Sequence, residues 1–360
     1  MRILVVRLRL IGDVVFTTPL VGALRHRFPD AHLTYLVESA AAPVLETNPH
    51  ISELLVIPHR RGLARVRDDL RLARQLRRAR FALVVDCHGG PRSAWLTWAT
   101  GAPRRIGYDI GGRTWMYTET VHRPRGLHPR HSVANQWDLL PVVDAAFPKT
   151  PDRTAHRVAM PASPAAYTSV MARLHARGIP VGRPGTRTIV FHVSAGNQFR
   201  RWPETAFADV AAGLVRQSTD RWVLLTAGPS DREAVHRVLA AARGLAPAAA
   251  NRIVDAEDVS LAELRALLDA SALYIGGDSG PLHVASTSDV PIVGLYGPTL
   301  AERSAPWRPE TIRGESVDVG ALPCRPCDQR VCAPGDFRCL TGITPGAVRD
   351  AAERLLEIAR

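Results

Sequence analysis

Residues 272–283 read ALYIGGDSGPLH, an apolar run that ends in two glycines and is followed by a Gly-Pro pair. A short apolar strand, a glycine-rich turn and a helix start, in that order, are typical of a βαβ unit in an open parallel sheet. A similar order begins the chain, where residues 2–6 (RILVV) precede Gly12 and Asp13. These two stretches predict an α/β protein with two Rossmann-like halves.

The rest of the chain alternates β-rich apolar runs with helical segments, which is the pattern of parallel α/β layers. The predicted strands are residues 2–6, 33–37, 53–57, 81–86, 188–193, 222–226, 253–255, 272–276 and 292–296. The predicted helices are residues 14–28, 40–46, 63–78, 165–177, 203–217, 231–241, 261–268, 281–286 and 346–360.

The domain boundary is marked by a cluster of prolines and glycines between Pro148 and Pro184. A chain of 360 residues fits two domains of ordinary size. We therefore predict an N-terminal domain over residues 1–165 and a C-terminal domain over 166–344. A final helix, residues 345–360, is expected to return to the N-terminal domain.

Composition and charge narrow the class of protein. A hydrophobic fraction of 46% and a charged fraction of 22% exclude disordered, collagen-like and coiled-coil chains. The net charge of +12 is carried by arginine, since Lys149 is the single lysine, and it predicts attraction to phosphates or an anionic membrane surface. No RNA-binding aromatic motif, zinc finger or helix-turn-helix accompanies that charge, which argues against a nucleic-acid partner. The sequence contains no signal peptide or spanning segment, which predicts a cytoplasmic protein.

Three loops stand at strand-to-helix junctions, where ligands bind in open α/β sheets. In residues 7–14 (RLRLIGDV), Gly12 is expected to permit a tight turn. Asp13 is either a helix-capping carboxylate or a general base. In residues 194–203 (SAGNQFRRWP), small residues let backbone amides approach an anion, and Arg200 and Arg201 add positive charge. The alternative for this second loop is an ordinary arginine-rich surface.

The third loop is the stretch quoted first. Gly280 and Pro281 start a helix whose free amides predict a pyrophosphate site, and His283 reaches the same anion from the first turn. Asp278 would repel a phosphate, so we expect it to hold the loop's own amides or to bind a sugar hydroxyl.

Four cysteines lie within sixteen residues: Cys324, Cys327, Cys332 and Cys339. In a reducing compartment they are packing thiols or a structural zinc site, with disulfides as a third alternative. Because the cluster precedes the last helix, we expect its role to be structural and not catalytic.

The three loops, in this order and followed by Tyr296-Gly297-Pro298-Thr299, resemble glycosyltransferase family 9, the ADP-heptose:lipopolysaccharide heptosyltransferase family. The resemblance implies the GT-B architecture, in which two Rossmann-like domains face each other across a cleft. It implies an inverting, metal-independent transferase that needs no cofactor and moves a heptose or related sugar from an ADP-sugar to a lipopolysaccharide core or similar glycan. The partners it implies are an ADP-heptose donor, a lipid-linked glycan acceptor and the anionic inner face of the inner membrane, where the protein would be peripheral.

Carried over residue by residue, the resemblance makes Asp13 the catalytic base and places Gly12 beside the acceptor. Arg200 stands where the family usually has lysine, which keeps the charge and changes its shape. Asp231 and Glu233 are alternatives for the ribose contact, and Val259 is expected to line the adenine pocket. The full set of implied donor-binding residues is Ser194, Ala195, Gly196, Asn197, Arg200, Asp231, Val259, Asp278, Ser279, Gly280 and His283.

Other functions stay open on the sequence. The chain could be a family 9 transferase with a different nucleotide-sugar donor, a nucleotide-sugar hydrolase or epimerase, or a non-catalytic nucleotide or nucleic-acid binder. Two basic segments are either functional or solvated surface. The first is the arginine-rich helix 63–78, which would lie near the anionic membrane. The second would meet an acidic glycan, and its basic residues are Arg104, Arg105, Arg113, His122, Arg123, Arg125, His128, Arg130 and His131.

Overall fold

A computed structural model describes residues 1–58, 60, 62–123, 129–228, 231–256 and 258–358. The chain divides into two compact units, Met1–Pro161 and Ala162–Arg360. The division lies inside the proline-rich segment and a few residues before position 165, because the helix Pro164–Ala176 packs within the second unit.

The first unit is built on a parallel sheet in the order β3-β2-β1-β4-β5-β6 among the described residues. Its strands are β1 (Arg2–Val6), β2 (His32–Glu38), β3 (Glu53–Ile57), β4 (Leu83–Asp86), β5 (Arg104–Asp109) and β6 (Glu119–His122). Its helices are α1 (Ile11–Val15), α2 (Thr18–Arg27), α3 (Gly62–Arg78), α4 (Pro91–Ala99), α5 (Ser132–Trp137) and α6 (Leu140–Val143).

The second unit repeats the arrangement, with the strand order β9-β8-β7-β10-β11-β12 in its described part. Its strands are β7 (Arg187–His192), β8 (Arg221–Thr226), β9 (Ile253–Asp255), β10 (Leu273–Gly277), β11 (Ile292–Leu295) and β12 (Gly314–Val317). Its helices are α7 (Pro164–Ala176), α8 (Glu204–Gln217), α9 (Arg232–Leu245), α10 (Leu261–Asp269), α11 (Gly280–Ala285), α12 (Ala301–Ser304), α13 (Arg338–Thr341) and α14 (Pro345–Ile358).

Each sheet has one point where the strand order reverses. In the first unit it lies between β1 and β4, and in the second between β7 and β10. Ligands of doubly wound folds bind outside the carboxyl ends of the strands at this point. The two loops that follow each strand pair are therefore where a site is expected.

The structure differs from the predicted elements where charge or local hydrogen bonding obscures the pattern. The predicted helix 14–28 is two helices, because Pro19 cannot donate a hydrogen bond and the hydroxyls of Thr17 and Thr18 bind the carbonyls of Val14 and Val15. Residues 40–46 contain only one short 3₁₀ turn. The prediction missed the helix α4, the short helices α5, α6, α12 and α13, and the strands β5, β6 and β12. The strands were missed because β5 opens with two arginines and the edge strands β6 and β12 alternate exposed residues.

The terminal helix α14 packs inside the second unit. Its side chains Val348, Ala351, Leu355 and Leu356 belong to the core formed with β7, β10 and α8. The expectation that this helix packs toward the N-terminal domain is therefore corrected, because its apolar face is buried on the second sheet. None of the described helices is both long enough and apolar enough to span a membrane.

Leu356→Ala should lower the free energy of unfolding of the second unit by about 2–5 kcal/mol, because it leaves a cavity at a fully buried position. The control is Arg354→Ala, which removes an exposed ion pair with Glu315 and should lower the free energy of unfolding far less than Leu356→Ala does. Chemical denaturation of both variants checks this. Equal destabilisation by the two changes would contradict the placement of α14.

Candidate functional site

In the first unit, Arg7 joins the two loops at the reversal point. Its side chain is 8% exposed and forms an ion pair with Asp13. Its Nη1 atom donates to the carbonyl oxygen of Cys87 at 2.7 Å, just beyond β4. The register pairs Val6 with Asp86, so the two strand ends lie side by side. Arg7 thus links the loop after β1 to the loop after β4.

Asp13 presents a partly open carboxylate at this point. It lies in the first turn of α1, with a side chain that is 30% exposed and paired with Arg7. The helix cap is Leu10, which has no side-chain capping bond, so the alternative that Asp13 caps the helix is wrong. Gly12 lies inside α1, and the expected tight turn at that residue is also wrong.

His88 is a residue of this site that the sequence reasoning missed. Burial, with the nearby charge of Arg7, lowers the pKa of His88 to about 4, although the Asp13 charge opposes that change. The backbone amides of His88 and Gly89 donate to the buried Asp86 carboxylate at 2.8 and 3.0 Å. The available signal was position alone, since His88 follows a predicted buried strand.

Four of the seven described basic residues between positions 101 and 131 have structural partners. Arg104 pairs with Glu119 and Arg130 with Asp138, while Arg105 donates to backbone carbonyls. His131 caps α5 by accepting from the amide of Val133. Arg125 and His128 lie outside the described residues. These partners favour the interpretation of this segment as structure over that of a glycan contact.

In the second unit, a directed chain of hydrogen bonds fixes the start of the loop after β7. Thr226 Oγ1 donates to the carbonyl of Phe191 at 2.8 Å, so it accepts from His192 Nδ1 at 3.0 Å. His192 Nε2 then accepts from Ser194 Oγ at 3.2 Å, and Ser194 Oγ accepts from the amide of Gly228 at 3.1 Å. Burial lowers the pKa of His192 to about 4, which keeps the ring neutral in this chain. Ser194 is thereby locked to the loop after β8.

The next part of the site centres on the buried carboxylate of Asp278, whose side chain is 3% exposed. Arg200 Nη1 lies 3.3 Å from Oδ2 and also donates to the Asp278 carbonyl at 3.1 Å. Thr299 Oγ1 donates to Oδ2 at 2.6 Å, and His283 Nε2 lies 3.4 Å from Oδ1. Burial alone would raise the pKa of Asp278, but His283, Arg200 and Thr299 hold it far below its usual range.

This arrangement changes the expected role of Asp278. We expected it to hold loop amides or a sugar hydroxyl, and its carboxylate instead binds three side chains from three segments. It brings together Arg200 from the loop after β7, His283 from α11 and Thr299 from the segment after β11. The Arg200 guanidinium therefore lies beside a fixed negative charge.

A second ion pair closes the loop after β7. Arg201 Nε donates to the carbonyl of Ala195 at 2.9 Å, and its Nη2 lies 3.0 Å from Asp231 Oδ1 at the start of α9. Asp231 and Glu233 are the two alternatives for a ribose contact, and of the two it is Asp231 that pairs with Arg201. Glu233 has a side chain that is 93% exposed and lies 3.7 Å from Arg237.

A cavity of about 270 Å³ opens beside this pair, at the carboxyl ends of β8 and β9. Leu225, Asp255, Arg232 and His236 are among its lining residues. Val259 is half-buried just before the capping box Ser260–Glu263 that starts α10, and it is not among the cavity lining residues. Pro229 and Ser230, in the same loop, lie outside the described residues.

The remaining predicted donor residues lie at the same edge of the sheet. Asn197 caps a short turn through Oδ1, which accepts from the Phe199 amide at 3.0 Å. Gly196 has open space where a Cβ would stand. Ser279 precedes Gly280 at the start of α11, and among the described residues its buried Oγ has no hydrogen-bond partner.

The cysteine cluster contains free thiols, and so does Cys87, whose burial raises the pKa of its thiol. Across the described ranges, no group of three or more His, Cys, Asp or Glu side chains is arranged to hold a metal ion. The loop between Cys327 and Cys332 instead brings Gln329 to Arg200 and Asn197. No sequence motif identifies Gln329 as a residue of this site.

Each unit is a doubly wound sheet with arginine-containing loops at the point where the strand order reverses. This arrangement is typical of α/β proteins that bind nucleotides. Residues 69–335 match glycosyltransferase family 9 (heptosyltransferase). Lipopolysaccharide heptosyltransferase 3 of Escherichia coli is 27% identical over 328 residues, which cover 90% of this chain and 91% of that protein. The chain belongs to glycosyltransferase family 9, and it is a glycosyltransferase.

Solved structures give the same fold. A family 9 glycosyltransferase from Veillonella parvula DSM 2008 has a TM-score of 0.82 at 24% identity, covering 99% of this chain and 97% of that chain. E. coli ADP-heptose lps heptosyltransferase II has a TM-score of 0.76 at 21% identity, covering 99% of both chains. The predicted α/β class with two Rossmann-like sheets is confirmed.

His192→Gln should flatten the pH dependence of stability between about pH 6.5 and 4. In that range the unfolded chain binds a proton on His192 that the folded chain does not, so wild-type stability falls as the pH falls. The number of protons that the protein takes up on unfolding in this pH range should be smaller in the variant by up to about one. Denaturant unfolding at several pH values measures the slope, with the exposed His26→Gln as control. Identical slopes for wild type and His192→Gln would contradict the buried, neutral ring.

Proposed function

We propose that this chain is an inverting, metal-independent transferase that moves a heptose or related sugar from an ADP-sugar to a lipopolysaccharide core or similar lipid-linked glycan. The observation that carries the proposal is the cluster of Arg200, His283 and Asp278 at the reversal point of the second sheet. The names of the relatives support the sugar and the acceptor class, since they are lipopolysaccharide heptosyltransferases.

The donor diphosphate would bind at the loops after β7 and β10. Arg200 supplies a guanidinium that is held by Asp278, on a side chain that is 30% exposed. Ser194 to Asn197 and Ser279 to His283 approach the same edge through small residues and helix starts. A fixed cation beside the leaving diphosphate stabilises the charge that develops as the glycosidic bond breaks. Asp278 then acts as a support and does not touch the sugar.

The nucleoside would occupy the cavity at the ends of β8 and β9. Asp231 is the ribose candidate because it lies at the start of α9, next to that cavity, whereas Glu233 points to solvent. We retain Val259 as a candidate for the adenine side. A donor with another nucleotide is the alternative, and the acidic cavity lining from Asp255 and Asp258 gives no preference for a particular base.

Asp13 would act as the general base that takes the proton from the acceptor hydroxyl, with Gly12 beside the acceptor. Its carboxylate is oriented by Arg7 and is open to approach on its other side. A positioned base of this kind contributes about 10²–10⁴-fold to the rate. Attack by the activated hydroxyl on the anomeric carbon, opposite the leaving diphosphate, inverts the configuration.

In this proposal the transfer reaction needs no metal ion, because the Arg200 guanidinium takes the place of a divalent ion at the diphosphate. Turnover should accordingly be unchanged by EDTA. A structural zinc on Cys324, Cys327, Cys332 and Cys339 is the separate alternative for the loop, and metal analysis of the purified protein decides between zinc and free thiols. One equivalent of bound zinc would establish it.

Asp13→Asn should lower the rate of sugar transfer by about 10²–10⁴-fold, because Asn cannot accept the proton. The change also leaves the buried Arg7 without its ion-pair partner, so the melting temperature should fall as well. Transfer is measured with ADP-heptose and a lipid-linked core acceptor, at a temperature where every variant is folded.

The matched control is Arg7→Gln, which removes the same ion pair and keeps the Asp13 carboxylate. It should be at least tenfold more active than Asp13→Asn, and the exposed Asp30→Asn should be like wild type. If Arg7→Gln and Asp13→Asn lose activity equally, Asp13 acts through the ion pair and is not the base.

The helix α3 is the proposed contact with an anionic membrane surface. Leu63, Val66 and Leu70 stand at i, i+3 and i+7, and their exposed fractions are 88%, 53% and 44%. Exposed arginines flank this apolar row at positions 65, 67, 71, 74, 77 and 78. An exposed apolar row between cations is the pattern of a helix that lies in the membrane interface. Trp98 and Trp115, exposed and 5.7 Å apart between ring centroids, add an aromatic contact on the same unit.

Replacing Arg67, Arg71, Arg74 and Arg78 by Gln should strongly weaken sedimentation with anionic phosphatidylglycerol vesicles, since each basic residue near such a surface contributes about 1 kcal/mol. The control replaces four exposed arginines of the second unit, Arg183, Arg216, Arg237 and Arg330, and has the same net charge. It should bind like wild type. Equal weakening by both sets, or wild-type binding that is insensitive to salt, would contradict docking through α3.

A further inference from the structure

The loop that carries the four cysteines, residues 324–339, lies against the proposed donor site at several points. Cys327 donates its backbone amide to the carbonyl of Pro298 at 3.2 Å. Arg325 Nη2 donates to the carbonyl of Thr299, the residue that binds Asp278, at 2.9 Å. The rings of Phe337 and Phe199 are 5.5 Å apart between centroids. The loop is therefore packed around the residues that hold Arg200.

Gln329 makes the most direct of these contacts. Its Oε1 accepts from Arg200 Nε at 2.7 Å and from Asn197 Nδ2 at 3.0 Å. Both partners are donors, so the carbonyl oxygen of the amide is the atom that must face them. One neutral acceptor thus fixes two of the predicted donor-binding side chains.

We propose that Gln329 is a positioning residue of the donor site, which sets the Arg200 guanidinium so that its remaining edge faces a nucleoside diphosphate. This inference rests on the proposed function of Arg200. It assigns the cysteine-rich loop a part in donor binding, where the sequence suggested only a structural role.

The geometry of the guanidinium supports this assignment. Gln329 accepts a hydrogen bond from Nε, and Asp278 binds Nη1. Because the guanidinium is planar and rigid, these two contacts fix its orientation. Among the residues that the structure describes, Nη2 has no hydrogen-bond partner. A lysine at this position would place its three N–H donors on one freely rotating nitrogen, so it lacks the rigid planar fork that keeps the supported atoms apart from the free one. Arginine at position 200 and glutamine at position 329 therefore form one unit.

The backbone of Gln329 gives an independent reason to assign a role to its side chain. Its φ is +58°, in the left-handed region that favours glycine and costs other residues stability. If the Gln329 side chain made no functional contact, its replacement by glycine would cost neither stability nor ligand binding. Gln329→Gly relieves the backbone while it removes the acceptor, so it separates positioning from folding.

The test is a double-mutant cycle on the full chain, with ADP as the probe and calorimetric titration as the measurement. Arg200→Ala should weaken ADP binding about ten- to a hundredfold, because a contact to a charged group is lost. Gln329→Gly should weaken it about three- to tenfold, with a melting temperature equal to or above that of wild type. In the Arg200→Ala background, Gln329→Gly should have less than about a twofold further effect, because its partner is already absent.

Gln329→Glu adds a second readout. It keeps the acceptor in place, so the loop geometry and stability should be retained. It also places a negative charge beside Arg200, so ADP binding should weaken although the fold is intact. Arg330→Ala, with a side chain that is 85% exposed, is the control on the same loop and should bind ADP like wild type.

The outcomes separate the two proposals. Unchanged ADP binding by Arg200→Ala would overturn the donor site itself. Weak binding by Arg200→Ala together with wild-type binding by Gln329→Gly would overturn the positioning role alone. An equal effect of Gln329→Gly in both backgrounds would also overturn it, because the residue would then act without Arg200.

Discussion

The buried carboxylate of Asp278 is the constraint on which the second half of the protein depends. A charge that is removed from water is stable only when it is paired and hydrogen-bonded, and Asp278 meets this condition with Arg200, His283 and Thr299. These partners come from three separate segments. Satisfying one charge therefore determines how the loop after β7, the start of α11 and the segment after β11 are placed at the sheet edge.

The first unit has a related arrangement at the point where its strand order reverses, but its carboxylate is more exposed. In each unit an arginine from the loop after the first strand donates to a carbonyl at the end of the neighbouring central strand: Arg7 to Cys87 and Arg200 to Asp278. The paired carboxylates differ, since Asp278 is buried and Asp13 is 30% exposed. The buried one holds three loops of the second unit together, and the open one is the carboxylate that we propose as the general base.

The sequence predicted the central strands of both sheets well, because buried parallel strands are continuous apolar runs. The central strand β1 begins and ends where predicted, and so do the edge strands β3 and β9. The elements it missed, such as β5 and β12, carry charged or exposed residues whose pairing depends on a neighbouring strand. The break between α1 and α2 depends on side-chain hydrogen bonds from Thr17 and Thr18, which periodicity does not detect.

The sequence predicted those residues of the candidate site that come shortly after a buried strand. Arg200, Asp278 and His283 could be chosen because each follows a buried strand closely, and the structure brings them together. Gln329 could not be chosen this way, since its importance comes from contacts with Arg200 and Asn197 over long sequence separations. Asp231 and Glu233 were equivalent in sequence, and only the side-chain directions along α9 distinguish them.

The most direct test of the account is a nucleotide-sugar panel assayed for release of nucleoside diphosphate, with and without a lipid-linked core acceptor. The account predicts release from ADP-heptose that requires the acceptor and is accompanied by an inverted anomeric configuration in the product. Release without acceptor from any donor would identify a hydrolase or epimerase. No release from any nucleotide sugar in the presence of acceptor would contradict the proposed transfer reaction.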